Sequence, residues 1–332
     1  MILAVEIGGT KLQVALVEPE SGRIVERRRD EVVAADGAAG ILHRIERMID
    51  SLPSGSFDRV GVGFGGPVGA SGRIYRSHQI DGWDGFELGL WCSDRTGRPS
   101  VVANDCDAAA LGEALWGAGR GYRSTFYMTV GTGVGGGWIV DGRRQGVGRP
   151  SIAEVGHLRP GLACTSSYAT VESLASGAGI AARARATAAV WFGRATPDER
   201  PIVPPVPEPT IGRVEFETAR SWWDSFPADL PPDARRIGRA AADGNPLARA
   251  VLEQATTVLG WALAQVATLL SPECLVIGGG VSQLPDPVFR DPIVEAFRCY
   301  AFGPVRDETA ILPSALGEDV VLIGAAAVAT ES

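Results

Sequence analysis

Two glycine turns give this chain its most chemically suggestive backbone. Gly8-Gly9-Thr10 and Gly131-Thr132-Gly133-Val134-Gly135-Gly136 each stand between apolar runs, so each is expected to be a hairpin turn whose N–H groups can approach phosphate oxygens. Thr10 and Thr132 add hydroxyl donors, and Lys11 adds an ammonium group that can offset anionic charge. Taken alone, the first turn reads more often as a plain hairpin than as a phosphate site. The second resembles a dinucleotide fingerprint, yet no acidic ribose ligand follows at the distance a βαβ unit requires. Asn104-Asp105 forms an Asx pair ahead of an alanine-rich stretch, and the local reading is that Asp105 caps a helix running through Trp116. Glu154, His157 and Glu172 supply groups that can hydrogen-bond hydroxyls in alternating donor and acceptor roles. His43 and His78 have no comparable setting.

These residues need elements to hold them. Ile2 to Val5 and Lys11 to Val17 are expected strands around the first turn, and Ile41, Ile45, Met48 and Ile49 recur at helical spacing, predicting an amphipathic helix over residues 38–52. Arg59 to Phe64 and Ser100 to Ala103 read as inner strands, which puts Asn104-Asp105 at a strand-to-helix junction. Thr125 to Val130 and Gly137 to Val140 flank the second turn and repeat the first design, predicting two related halves. A helix from Pro246 leads into the strand Cys274 to Ile277 and a third glycine turn, Gly278-Gly279-Gly280. Gly317 to Thr330 reads as a closing helix packed on the first half. Between them, Thr196 to Asp233 is rich in proline and charge and reads as an extended surface insertion.

Composition limits the partners. A chain of 332 residues with 45% hydrophobic content can bury a substantial core and make two domains. Its 31 basic and 39 acidic residues give a net charge of −8, which disfavours nucleic acid and anionic lipid and favours a small molecule. No stretch approaches a membrane span and the N-terminal run is too short for a signal peptide, so a cytoplasmic location is expected. The five cysteines lack CxxC spacing and read as reduced, partly buried thiols.

Together the motifs resemble a known family. Val5-Glu6-Ile7-Gly8-Gly9-Thr10-Lys11, Asn104-Asp105-Cys106-Asp107-Ala108-Ala109-Ala110, Gly131 to Gly137, Glu154-Val155-Gly156-His157 and Val276-Ile277-Gly278-Gly279-Gly280 are similar, in that order, to the motifs of the ROK family of bacterial sugar kinases and repressors. The resemblance implies an α/β chain of actin-like ATPase fold, with two α/β domains and a cleft between them. The implied division is 1–107 plus 318–332 for a small domain and 108–317 for a larger one, with the Pro-rich insertion near 196–233. It implies ATP and Mg²⁺ as cofactors, a hexose acceptor and a homodimer. Asp105 then stands as the general base, and Gly66, Asn104, Asp105, Glu154, His157 and Glu172 as sugar ligands. Glu6, Gly8, Gly9, Thr10, Lys11, Thr132, Gly133, Gly279 and Gly280 stand around the nucleotide.

Three departures qualify the likeness. The family follows its Glu-x-Gly-His with a C-x-C-G-x-x-G-C-x-E knot that holds zinc. Here Ala163, Thr165 and Thr170 occupy the cysteine positions, Ser166 and Ala169 the glycines, and Cys164 falls one residue off, so no structural zinc is expected. A hydrogen bond from Thr165, Ser166, Ser167 or Tyr168 is then expected to orient His157. Glu6 stands where the family has aspartate, which shifts the carboxylate beside a metal-nucleotide. Gly65-Gly66-Pro67 and Gln79 to Trp83 differ from the family's loop at the edge of the sugar pocket. The resemblance implies a kinase for glucose at its 6-hydroxyl. Mannose, fructose, N-acetylmannosamine and N-acetylglucosamine would meet the same ligands, and a sugar-binding or regulatory protein without catalysis is the alternative.

Overall fold

Burial on both faces explains how the first strand is held. The computed structural model describes residues 1–53, 55–75, 80–149, 151–161, 168–193, 206–207, 211–227 and 229–331. Strand β1 (Ile2–Ile7) is buried at every position. Leu3, Val5 and Ile7 cluster with Ile41 and Ile45, while Ile2 and Ala4 cluster with Leu322 and Ala325, so the period of two sends alternate side chains to helices on opposite faces. Truncating Ile41 or Ile45 to alanine would cost about 2–5 kcal/mol by the cavity it leaves.

The first sheet contains β1, β2 (Lys11–Val17), β3 (Ile24–Glu31), β4 (Arg59–Phe64) and β5 (Ser100–Asn104) in the order β3-β2-β1-β4-β5. The second contains β6 (Ser124–Val130), β7 (Val134–Val140), β8 (Arg143–Arg144), β9 (Cys274–Gly278) and β10 (Ala310–Pro313) in the order β10-β9-β6-β7-β8. Each has three antiparallel strands that begin with a glycine hairpin, followed by two parallel strands, so the sheets share one topology. The expected related halves are present in the described residues.

The helices are α1 (Gly37–Asp50), α2 (Leu88–Thr96), α3 (Asp105–Trp116), α4 (Val171–Ala175), α5 (Gly177–Trp191) and α6 (Arg213–Asp224), then α7 (Ala234–Ala242), α8 (Pro246–Leu270), α9 (Arg290–Tyr300), α10 (Gly303–Glu308) and α11 (Val320–Val328). Helix α3 lies on the second sheet and α11 on the first, and the two pack on each other to form the seam between the halves. A Cβ on Gly324 would fall 1.9 Å from the Ala108 carbonyl oxygen, so only glycine permits this approach. Buried Glu113 on α3 accepts N–H bonds from Ala118 at 2.7 Å, Leu316 at 3.0 Å and Ala315 at 3.2 Å. That carboxylate fixes the loop leading into α11.

Three expectations change. The second glycine turn is shorter than its sequence implied: β7 begins at Val134, because Gly135 and Gly137 lie flush against Cys106 of α3, where a Cβ would meet sulfur or carbonyl oxygen at 2.5–2.6 Å. The stretch Thr196 to Asp233 is not simply extended. Residues 194–205, 208–210 and 228 lie outside the described set, but α6 occupies Arg213–Asp224, and Val206 donates its N–H to Thr187 while accepting from Trp191 Nε1, both at 3.0 Å. Buried Val206 and Ala219 anchor this part to the core. Cys299 is exposed rather than partly buried.

Candidate active site

The centre of the site is the junction of β5 and α3. Asn104 leaves the strand with φ −59° and ψ 147° and is the N-cap of α3, its Oδ1 accepting from Cys106 N at 2.8 Å and Asp107 N at 3.4 Å. Its Nδ2 donates to the Gly66 carbonyl at 3.0 Å, which ties the junction to the loop after β4. The cap expected of Asp105 is therefore made by its neighbour. Asp105 accepts from Cys106 N at 2.9 Å through Oδ1 and otherwise faces two cavities. Burial pushes its carboxyl up to about 6, and the charge of Glu6 adds to the rise. Asp107 is also raised to about 6 by burial, against the pull of Arg144.

One cavity, of about 330 Å³, gathers Glu6, Thr10, Lys11, Thr132, Gly279 and Gly280 around Asp105, so both hairpins and the third glycine turn meet there. Gly279 takes φ +93° at this third turn, with Val130 O 2.5 Å from where a Cβ would stand. Lys11 is the only lysine among 31 basic residues. Its Nζ lies 3.0 Å from Glu6 Oε1 and donates to the Glu318 carbonyl at 2.9 Å. Glu6 Oε2 accepts from buried Gln13 at 2.8 Å. Burial raises the Glu6 carboxyl, with Lys11 opposing.

A second cavity, of about 390 Å³, runs from Gly9 and Thr10 past Gly65 and Asp105 to Gly133 and Glu172. Glu172 is presented by the short helix α4, whose N-cap Thr170 forms a reciprocal capping box: Ser173 N donates to Thr170 Oγ1 at 3.2 Å, and Thr170 N to Ser173 Oγ at 2.9 Å. Thr170, at a position where the family resemblance places a zinc cysteine, thus serves as a helix cap. The Val171 N–H donates to the Leu158 carbonyl at 2.8 Å and joins α4 to the turn carrying His157. Glu172 Oε2 in turn accepts from Val134 N at 2.9 Å, beside the second glycine hairpin.

Asn104 and Glu154 line a third space of about 100 Å³ behind the junction. His157 lines none of these cavities; its side chain is 70% exposed, with Nε2 3.9 Å from Glu154 Oε2. Burial raises the Glu154 carboxyl and His157 opposes it. Gly66 borders the site through its carbonyl, and Gly8 closes the first hairpin by donating to Lys11 O at 3.0 Å. Cys164, Thr165, Ser166 and Ser167 lie outside the described residues, as do His78 and Gln79. Among the described residues no group of three or more His, Cys, Asp or Glu is placed to hold a metal. Sequence reasoning missed Arg29, Arg235, Gln283 and Glu318 in the first cavity. No local pattern marks them, because they come from an edge strand, a helix start and two short 3-10 helices.

Comparison with known proteins agrees with this geometry. The glucokinase of Halalkalibacterium halodurans is 30% identical over 97% of this chain and 92% of its own length. The bifunctional enzyme NanE/NanK of Brucella melitensis is 30% identical over 98% of this chain, which spans 53% of that protein. A solved ROK family glucokinase from Streptomyces griseus, in complex with glucose and AMPPNP, superposes with a TM-score of 0.78 at 29% identity, covering 100% of this chain and 99% of that one. The fold is the actin-like ATPase fold of these sugar kinases. With the family model matching residues 2–332 as well, the chain belongs to the ROK family.

Proposed function

We propose that this ATP-dependent sugar kinase transfers a phosphoryl group to a hexose, glucose at its 6-hydroxyl. The observation that carries the reading is Asp105: a half-buried carboxylate, beside the cap made by Asn104, that lines both the cavity between the hairpins and the cavity that reaches Glu172. A sugar hydroxyl is a weak nucleophile, and Asp105 accepts its proton as the phosphoryl group arrives. The N–H groups and hydroxyls of Thr10 and Thr132, with Gly9 and Gly133, stabilise the charge on the transferring group. Asn104, Gly66, Glu154, His157 and Glu172 hold the remaining hydroxyls. Gly8, Lys11, Gly279 and Gly280 border the nucleotide.

Glu6, on the cavity wall beside Asp105, offers an oxygen ligand of the kind Mg²⁺ takes beside a nucleotide. When bound, that ion neutralises phosphate charge. We assign no structural zinc, and the capping box with the Leu158–Val171 bond supports the His157 and Glu172 segments instead. Residues 1–107 with 318–332 form one domain and 108–317 the other, and their closure excludes water from the transfer. The enzyme works as a cytoplasmic homodimer on small molecules, without nucleic acid; no helix among the described residues is long and apolar enough to cross a membrane.

An ATP-consumption screen over glucose, mannose, fructose and the N-acetylated amino sugars tests the reading, with Asp105→Asn as control and zinc measured alongside. Glucose is expected to give the highest kcat/KM. Turnover in Asp105→Asn equal to the wild type removes the assignment of the base, and stoichiometric zinc removes the metal-free claim.

A further inference from the structure

The donor cavity presents a charge problem. Its wall carries the carboxylates of Glu6, Asp105 and Glu318 and the cations of Lys11, Arg29 and Arg235. Lys11 is committed to Glu6 at 3.0 Å and to the Glu318 carbonyl at 2.9 Å. Among the described residues, Arg29 and Arg235 carry no carboxylate partner, so theirs are the guanidinium groups ready to meet an incoming polyanion.

Of these two, Arg235 has the more telling place. A neighbouring cavity of about 390 Å³, lined by Ala178, Ala181 and Val281, meets the first through Gly131, Thr132, Gly280 and Arg235. Arg235 Nη2 lies 3.8 Å from where a Cβ on Gly280 would stand, across the opening from the second hairpin. The N-termini of α5 and α7 face the same space, each closed by a side-chain cap: Ser176 accepts from Gly179 N at 3.1 Å and Asp233 from Arg236 N at 2.8 Å. The α5 dipole adds positive potential at the junction, while the Asp233 carboxylate offsets that of α7. One lobe leads to Asp105 and the hairpins, the other to a wall of small apolar side chains suited to a nucleoside. The passage between them is where the inner phosphates of a nucleoside triphosphate must lie.

We propose that Arg235 is a donor-binding residue that clamps the inner phosphates of the nucleotide, resting on the kinase reading above. A guanidinium offers paired N–H donors that match two phosphate oxygens. Arg236, next in sequence, lies outside both cavities with its guanidinium 5.7 Å from the Phe226 ring centroid, and supplies an internal control.

Calorimetric titration of the full chain with ADP and Mg²⁺, paired with inhibition constants for adenosine against ATP, tests the assignment in Arg235→Ala, Arg235→Lys and Arg236→Ala. Arg235→Ala is expected to weaken ADP binding roughly tenfold or more, with adenosine inhibition and the sugar KM unchanged. Arg235→Lys is expected to recover part of the loss and Arg236→Ala to match the wild type. Unaltered ADP affinity in Arg235→Ala, or equal losses for ADP and adenosine, overturns the proposal while leaving the kinase reading standing. A wild-type chain that binds no ADP overturns both. Circular dichroism and the thermal midpoint of each variant separate these outcomes from misfolding.

Discussion

The two glycine hairpins share a topology and differ in what holds them. The β1–β2 turn is tied by charge: Glu6, Lys11 and Gln13 interlock at 2.8–3.0 Å, and Arg27 beside them pairs with Asp319 at 2.7 Å. The β6–β7 turn carries no charge of its own. Gly131 N donates to Gly133 O at 2.9 Å, Gly177 N to Gly131 O at 2.8 Å, and the carboxylate that touches it, Glu172, belongs to the proposed sugar site. One turn is thus anchored to the loop before α11 and the other to Glu172 of the proposed sugar site. The shared topology supplies the shape twice, and the side chains around each copy differ.

The severest way to probe this contrast is to remove the group that belongs to neither hairpin. Asp105→Asn should lower kcat by roughly 10²-fold or more while calorimetry finds sugar affinity retained. The sign for stability is opposite: a carboxyl raised to about 6 from 3.8 favours the fold while protonated and opposes it as pH rises through about 6. The Asn variant should melt higher than the wild type at pH 8, with the difference closing below pH 3.8. Next in size is Gly133→Ala. Its Cβ would stand 2.4 Å from Glu172 Oε2, so KM should rise for ATP and sugar together, by about tenfold. A change confined to ATP would break the link between the second hairpin and the acceptor. Lys11→Arg keeps the charge but replaces a compact ammonium held by two partners, and should raise the ATP KM severalfold with the sugar KM unchanged. The mildest test is the pH profile of kcat/KM for the sugar, which should fall as pH drops through about 6 and Asp105 takes up its proton. A flat acidic limb would detach the base from Asp105.

Local pattern made much of this readable. The apolar spacing of Ile41, Ile45 and Ile49 placed α1, and the two glycine turns predicted the repeated half. The Asx pair placed the strand-to-helix junction, though only the coordinates separate the roles of Asn104 and Asp105, since both residue types cap helices and the choice depends on the backbone angles. Gly135 read as turn because glycine marks turns and close packing alike, and its reason lies in α3 rather than in its own strand. Edge strand β3, with its charged and alternating Ile24 to Glu31, lacked the apolar run that revealed its neighbours. Arg235 was invisible because its partners are brought together only by the folding of distant segments.

The contact of Gly324 with Ala108 has a consequence for how this protein tolerates mutation. Neither residue lines any of the cavities described, yet one methyl group at position 324 has no space unless α11 withdraws from α3, and those helices carry the two sheets. An unbiased screen for inactive variants should therefore return this remote glycine beside Asp105, and its damage should register as a misalignment of the two halves that together line the cavities rather than as a missing functional group.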